Sequence, residues 1–184
     1  MIARIALIGL SGAGKTTVAP LLAERLGFRW MDLDTLVEKG VGTTVGRYIE
    51  TAGEPAFRER ESDALRETLT GAAEGPGLVL ACGAGALGGD ENRRLLREAA
   101  FTVWLSIHPD QAARRLEGAE AALRPLLGGG PAAERLNALL MERGSLYRAA
   151  ADATVETDRK TPEEVATAIA GILRDRRTWE PSGS

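Results

Sequence analysis

The stretch Gly9-Leu10-Ser11-Gly12-Ala13-Gly14-Lys15-Thr16-Thr17 decides how the chain is read. It follows a short apolar run, Ile5-Ala6-Leu7-Ile8, of strand length. It precedes Lys15 to Leu26, where Val18, Leu21, Leu22 and Leu26 recur at helical spacing and Gly27 marks the end. A glycine-rich turn between strand and helix lets the backbone bend tightly and point its N–H groups inward. Those amides, with the helix N-terminus behind them, form a nest for an anion. Lys15 adds a point charge suited to β- and γ-phosphates, and the Thr16 hydroxyl is placed to ligate Mg²⁺. Gly9-x-x-x-x-Gly14-Lys15-Thr16 is the P-loop spacing. The expected phosphate-binding set is Gly12, Ala13, Gly14, Lys15, Thr16 and Thr17.

Outward from that turn, apolar runs of strand length alternate with helix-period stretches. Strands are expected at Arg4–Ile8, Phe28–Met31, Leu78–Cys82, Phe101–Ser106 and Ala153–Glu156. Helices are expected over 35–38 and 45–52, parted by Gly40 and Gly42, then from Ala56 to Leu69 behind Pro55. Further helices follow at 91–99, 109–116, 132–150 and 162–173. Continuously apolar strands between helices mean a parallel sheet covered on both faces. The expected fold is α/β, with three layers, five parallel strands and helices on both sides. Residues 118–131, rich in Gly, Ala and Pro, read as a mobile lid, and 174–184 as a fraying tail.

The 184 residues, 44% of them hydrophobic, suffice for one compact domain and are short for two. A net charge of −3 argues against a generic nucleic-acid binder, so an anion site must come from a few placed cations. Cys82 is the one cysteine, so no disulfide forms within the chain. No signal-peptide pattern is seen at the N-terminus, and no apolar run approaches the roughly 20 residues of a membrane helix. The expectation is a cytoplasmic monomer acting on a small molecule, without nucleic-acid or membrane partners.

Candidates for the acceptor side lie beyond the P-loop. Asp32 and Asp34 follow the second strand at the carboxyl edge, where ligands sit in an open α/β sheet. One suits Mg²⁺ and the other a hydroxyl; equally, both suit a helix cap before Thr35, and the residues alone leave the two readings open. Arg58 and Glu61 share a helix face; a cleft-facing Arg58 suits a planar carboxylate, or the run is a solvated charged face. Gly83-Ala84-Gly85 after the third strand exposes backbone amides or is an ordinary turn. No acid ends that strand, so the metal leans on Thr16 and Asp32. Arg124 sits in the lid, as a phosphate-closing cation or a solvated one, and Arg143 reads as a helix-terminal cation. His108 reads as structural, Cys82 as buried, Trp30 and Trp104 as core, and Trp179 as a surface residue of the tail.

Taken together these segments resemble the shikimate kinase family from Arg4 to about Leu173. The resemblance rests on the P-loop, Asp32-Leu33-Asp34, Phe57-Arg58-Glu59-Arg60-Glu61, Gly83-Ala84-Gly85, Arg124-Pro125-Leu126 and Arg143-Gly144-Ser145-Leu146-Tyr147, in that order. It implies ATP-dependent phosphorylation of the shikimate 3-hydroxyl with Mg²⁺, a step of aromatic amino acid biosynthesis. It implies Arg58 and Arg143 on the substrate carboxylate, Asp34 at the ring hydroxyls, and Asp32 and Thr16 at Mg²⁺. Gly83, Ala84 and Gly85 would line the acceptor pocket, with Lys15 and Arg124 at the transferring phosphate and Arg115 and Arg159 near adenine.

Two positions depart from the family pattern. Ala84 replaces the middle glycine of a triplet, and is strained if that position needs φ > 0; otherwise its methyl narrows the pocket. Ser145 replaces a proline, which is expected to loosen the backbone after Arg143. A kinase for another hydroxylated acid, such as gluconate, and a catalytically silent nucleotide-binding module are the rival readings.

Overall fold

The computed structural model describes residues 3–71, 77–117 and 131–175. Five strands form one parallel sheet: β1 (Arg4–Ile8), β2 (Arg29–Asp32), β3 (Leu78–Ala81), β4 (Phe101–Ser106) and β5 (Ala153–Glu156). Their order across the sheet is β2-β3-β1-β4-β5. Ile5 pairs with both Val79 and Phe101, which sets the three central strands in register. β3 is buried at all four positions and β4 at five of six, as a sheet covered on both faces requires. β2 has a neighbour on one side alone, and Trp30 there is 44% exposed. The expectation that Trp30 is core is therefore wrong: an edge strand leaves an apolar side chain without a second layer to enter. Trp104, on β4, is buried as expected.

The helices are α1 (Lys15–Leu26), α2 (Leu33–Val41), α3 (Val45–Ala52), α4 (Glu54–Thr70), α5 (Asp90–Ala99), α6 (Pro109–Leu116), α7 (Ala132–Ala150) and α8 (Pro162–Asp175). α1, β1, α6, α7, β4 and β5 have the expected bounds. α2 runs through Gly40 and stops at Gly42, whose φ of 71° and N–H bond to the Glu38 carbonyl close the helix. Glycine inside a helix costs only about 1 kcal/mol, whereas the left-handed cap needs a residue without Cβ. Arg174 and Asp175 belong to α8 rather than to a frayed tail. The proposed lid, apart from Pro131, and residues 176–184 with Trp179 lie outside the described residues.

The strands and α1, α4, α5, α6, α7 and α8 share one apolar core, from Ile5 and Leu22 to Tyr147 and Ile169. A smaller cluster, Val37, Val45 and Phe57, ties α2 and α3 to α4. Phe57 faces that cluster, which fixes the rotation of α4 and turns Arg58 and Glu61 toward the sheet edge. None of the described helices is long and apolar enough to cross a membrane.

Candidate active site

Parallel strands bring all their carboxyl ends to one edge, and the turns after β1, β2 and β3 meet there. The turn after β1 is the nest expected from its glycines. Gly12 and Gly14 take φ of 81° and 93°, and a Cβ on Gly12 would stand 2.7 Å from the Ala112 carbonyl. Among the described residues nothing accepts from the N–H groups of Gly12, Gly14, Lys15 or Thr16. The buried Lys15 folds back over this loop and donates from Nζ to the Gly9 and Leu10 carbonyls at 2.8 and 2.9 Å. Burial lowers its pKa, against the pull of Asp34 and Asp32.

Asp32 answers both readings left open by its sequence. Its Oδ1 accepts from the N–H groups of Asp34 (3.0 Å) and Thr35 (3.3 Å), capping α2. Its Oδ2 accepts from the Thr16 hydroxyl at 2.6 Å. The cap holds the carboxylate rigid, and the free oxygen meets the P-loop hydroxyl. Asp34, in the first turn of α2, sits in a mostly buried position between like charges. Burial, then Asp32 and Glu61, push its pKa from 3.8 to about 6, while Lys15 and Arg58 pull the other way.

Arg58 and Glu61 form an ion pair at 2.8 Å, and Arg58 also pairs with Glu54 at 2.9 Å. The solvated-face reading fails for Glu61, which is 1% exposed. Burial raises its pKa against Arg58 and Arg143. Its Oε1 is buried without a hydrogen-bond partner among the described residues. That oxygen faces Gly83: a Cβ there would collide with Glu61 Oε1 and lie 2.8 Å from Asp34 Oδ1. A Cβ on Gly85 would run into the Arg58 guanidinium. A side chain at either outer glycine would thus have to displace the charged end of a site residue. Position 84 differs: Ala84 is not among the positive-φ residues, so the left-handed strain considered for it does not arise.

The Ala84 carbonyl accepts from Tyr147 Oη at 2.8 Å and from Arg143 Nη1 at 3.3 Å. Among the described residues no group accepts from the N–H of Gly83, Ala84 or Gly85. Arg143 lies well inside α7, so it is not the helix-terminal cation its surroundings suggested. Ser145 does not loosen this region either. It restores the N–H that proline lacks, and α7 runs unbroken from Ala132 to Ala150. Arg58, Glu61, Ala84, Gly85, Asn92 and Arg143 face a cavity of about 420 Å³.

On the other flank Arg115, at the end of α6, donates to the Gly12 carbonyl (3.4 Å) and the Thr157 carbonyl (2.5 Å). It thereby ties the P-loop to the turn after β5. Arg159, in that turn, has a φ of 57°, the one positive value on a non-glycine among the described residues. His108 caps α6 through Nδ1, in keeping with a structural role. Cys82 is buried, and burial raises its thiol pKa, so it is no nucleophile. Arg124 lies outside the described residues.

A family model described as shikimate kinase matches residues 11–174. The chain belongs to the shikimate kinase family. The shikimate kinase of Symbiobacterium thermophilum is 41% identical over 172 residues, 94% of this chain and 97% of the relative. That of Thermobifida fusca is 44% identical over 167 residues, 91% and 92% of the two chains. Among solved structures, shikimate kinase from Acinetobacter baumannii in complex with shikimate superposes with a TM-score of 0.89, at 33% identity and 97% coverage of both chains. The enzyme from Aquifex aeolicus gives 0.79 at 29% identity, covering 95% of this chain and 98% of that one.

Within this shikimate kinase fold, three residues left without a role by sequence reasoning join the site: Glu61, Asn92 and Tyr147. The signals were present for two of them. Glu61 is one helical turn from Arg58, and Tyr147 one turn from Arg143. Asn92 carries no local signal; α5 brings it to the turn after β3.

Proposed function

We propose that this chain transfers the γ-phosphoryl group of ATP to the 3-hydroxyl of shikimate, giving shikimate 3-phosphate and ADP. The observation that carries the reading is the meeting, at one sheet edge, of a nest of inward-pointing P-loop amides and a cavity lined by Arg58 and Arg143. Asp34 stands between them, in reach of electrostatic contact with Lys15 on one side and with Glu61 and Arg58 on the other. A regulatory module that only bound nucleotide would have no use for that second half. Gluconate is also a hydroxylated acid, but the family match and the shikimate complex of the Acinetobacter relative favour shikimate.

The roles follow from place and chemistry. The amides of Gly12, Gly14, Lys15 and Thr16 and the Lys15 ammonium cradle phosphate; Ala13 and Thr17 belong to the same loop, but their N–H groups donate to the Leu10 and Gly14 carbonyls. Arg115 and Arg159 flank the adenine side. Arg58 and Arg143 bind the shikimate carboxylate, two guanidinium groups for one planar anion. The free N–H groups of Gly83 to Gly85 complete the acceptor pocket. Asp34 orients the 3-hydroxyl and is a carboxylate able to take its proton as the hydroxyl oxygen bonds to phosphorus and the bond to ADP breaks. Arg124 would close over the transferring group from the lid. Such a reaction asks mainly for in-line positioning and neutralised charge.

Magnesium fits the residues present. Thr16 Oγ1 and Asp32 Oδ2, already 2.6 Å apart, are hard oxygen donors beside the phosphate nest. Among the described residues no group of three His, Cys, Asp or Glu forms a protein cage, and Mg²⁺ bound with nucleotide needs none. Thr16 would hold the ion directly and Asp32 through water, and the ion would neutralise charge on the β- and γ-phosphates. We further expect a cytoplasmic monomer of one kinase domain. The test is ADP release with Mg-ATP and shikimate, beside quinate, gluconate and no acceptor. Stimulation by shikimate above the other acids supports the proposal; stimulation by gluconate alone, or by none, overturns it.

A further inference from the structure

The turn after β3 is held by side chains that grip its carbonyl oxygens. Tyr147 and Arg143 both donate to Ala84 O, and Asn92 Nδ2 donates to Ala86 O at 2.9 Å. A trans peptide is planar, so the direction of the Ala84 carbonyl sets that of the Gly85 N–H on the opposite side. That N–H has no acceptor among the described residues, and Gly85 lines the acceptor cavity. The Tyr147 hydroxyl is rigidly mounted: its ring is 1% exposed and stacks on Trp104 with centroids 5.8 Å apart. Burial pushes the phenol up to about 12, so it stays a donor across the working pH range.

Arg143 shares the same oxygen, but at the longer distance of 3.3 Å, and the proposed function gives that guanidinium to the acceptor carboxylate. When it turns away, Tyr147 is left holding the carbonyl. We infer that Tyr147 is a positioning residue, whose hydroxyl, through the Ala84 carbonyl, aims the Gly85 N–H at the acceptor. The inference rests on the acceptor-site reading above. It also gives Ala84 a consequence. Alanine restricts the peptide more than glycine does, so the chain has two restraints on one plane, the methyl and the phenol.

The test is Tyr147→Phe, which keeps the ring and its stacking and removes only the hydroxyl. KM for shikimate is expected to rise about tenfold, the size of one lost hydrogen bond to an oriented group. KM for ATP should stay within about twofold. In an Ala84→Gly background the same change should cost at least about threefold more, because the peptide has lost both restraints. An unchanged shikimate KM, an equal rise in both KM values, or strict additivity with Ala84→Gly overturns the inference; a lowered melting temperature with unmoved KM values does so as well. The wild-type protein run alongside separates the two levels. If it releases no ADP with shikimate, the function reading falls and this inference with it. If it turns over and Tyr147→Phe behaves like it, this inference alone falls.

Discussion

Replacing Asp34 with asparagine should make the protein inactive and more stable. The carboxyl is pushed from 3.8 to about 6, a net figure that already includes the opposing pull of Lys15 and Arg58. Each pKa unit is worth about 1.4 kcal/mol, so the ionised group costs the folded state at most about 3 kcal/mol. The side chain keeps some contact with solvent, which lowers this to about 2 kcal/mol. The sign depends on pH. Well below 3.8 the carboxyl is protonated both folded and unfolded, and it costs nothing. Between 3.8 and about 6 the unfolded chain is ionised while the folded one holds its proton, so stability falls as pH rises. Above about 6 the whole penalty stands. The carboxamide of asparagine has nearly the same shape and no charge, so Asp34→Asn should raise the melting temperature by about 4–8 °C at about pH 7.5. The gain should vanish by about pH 4. The assay is calorimetry or near-UV circular dichroism of both proteins without nucleotide or Mg²⁺ at the two pH values. A variant that melts with or below the wild type at the higher pH, or that keeps its gain at the lower one, would refute the reasoning.

Gly83→Ala places a methyl against Glu61 Oε1 and Asp34 Oδ1, and should cut kcat/KM for shikimate at least about 100-fold. Ala84→Gly, at a position without positive φ, should change it by less than about threefold; steady-state kinetics compares the two. Asp32→Ala removes the α2 cap and the partner of Thr16, and should lower stability by about 1 kcal/mol while raising the Mg²⁺ concentration for half-maximal rate about tenfold. Thermal melts and a Mg²⁺ titration of the rate read the two effects separately. Arg58→Lys keeps the charge but loses the planar fork that also reaches Glu54 and Glu61. It should raise the shikimate KM about tenfold and leave the ATP KM alone, read by coupled ADP release.

The donor half of the site was legible because its information is local. Strand, glycines, lysine and hydroxyl lie within Ile5 to Thr17, and the backbone between them makes the nest. The acceptor half is assembled from β2, α4, the turn after β3, and α7, so single residues there were ambiguous. Asp32 shows why. Cap and metal partner looked like competing readings, yet a carboxylate has two oxygens and this one serves both. Arg143 looked like a helix-terminal cation although the expected helix already runs to Ala150; it lies about two turns short of that end, and what gives it a role is the turn after β3 that α7 packs beside. Trp30 failed for the opposite reason. Its apolarity was read correctly, but strand order, which only the fold supplies, put it on an edge.

The two departures from the family pattern come out differently from what their chemistry alone suggests. At 83 and 85 a Cβ would push aside the charged ends of Asp34, Glu61 and Arg58, whereas at 84 the turn has a pinned carbonyl. Ala84 supplies that carbonyl. The crowding charges are the costly part of the design. Lys15, Asp34 and Glu61 are each shifted toward their neutral forms, chiefly by burial, so each opposes folding when charged. They are held by a core that owes nothing to them, with the central strands buried almost throughout. Phosphate would give Lys15 an anionic partner in place of the Gly9 and Leu10 carbonyls, and substrate hydroxyl groups would donate to Asp34. The electrostatic cost of the site is thus concentrated in the groups that face the two substrates, where perturbed titration accompanies function.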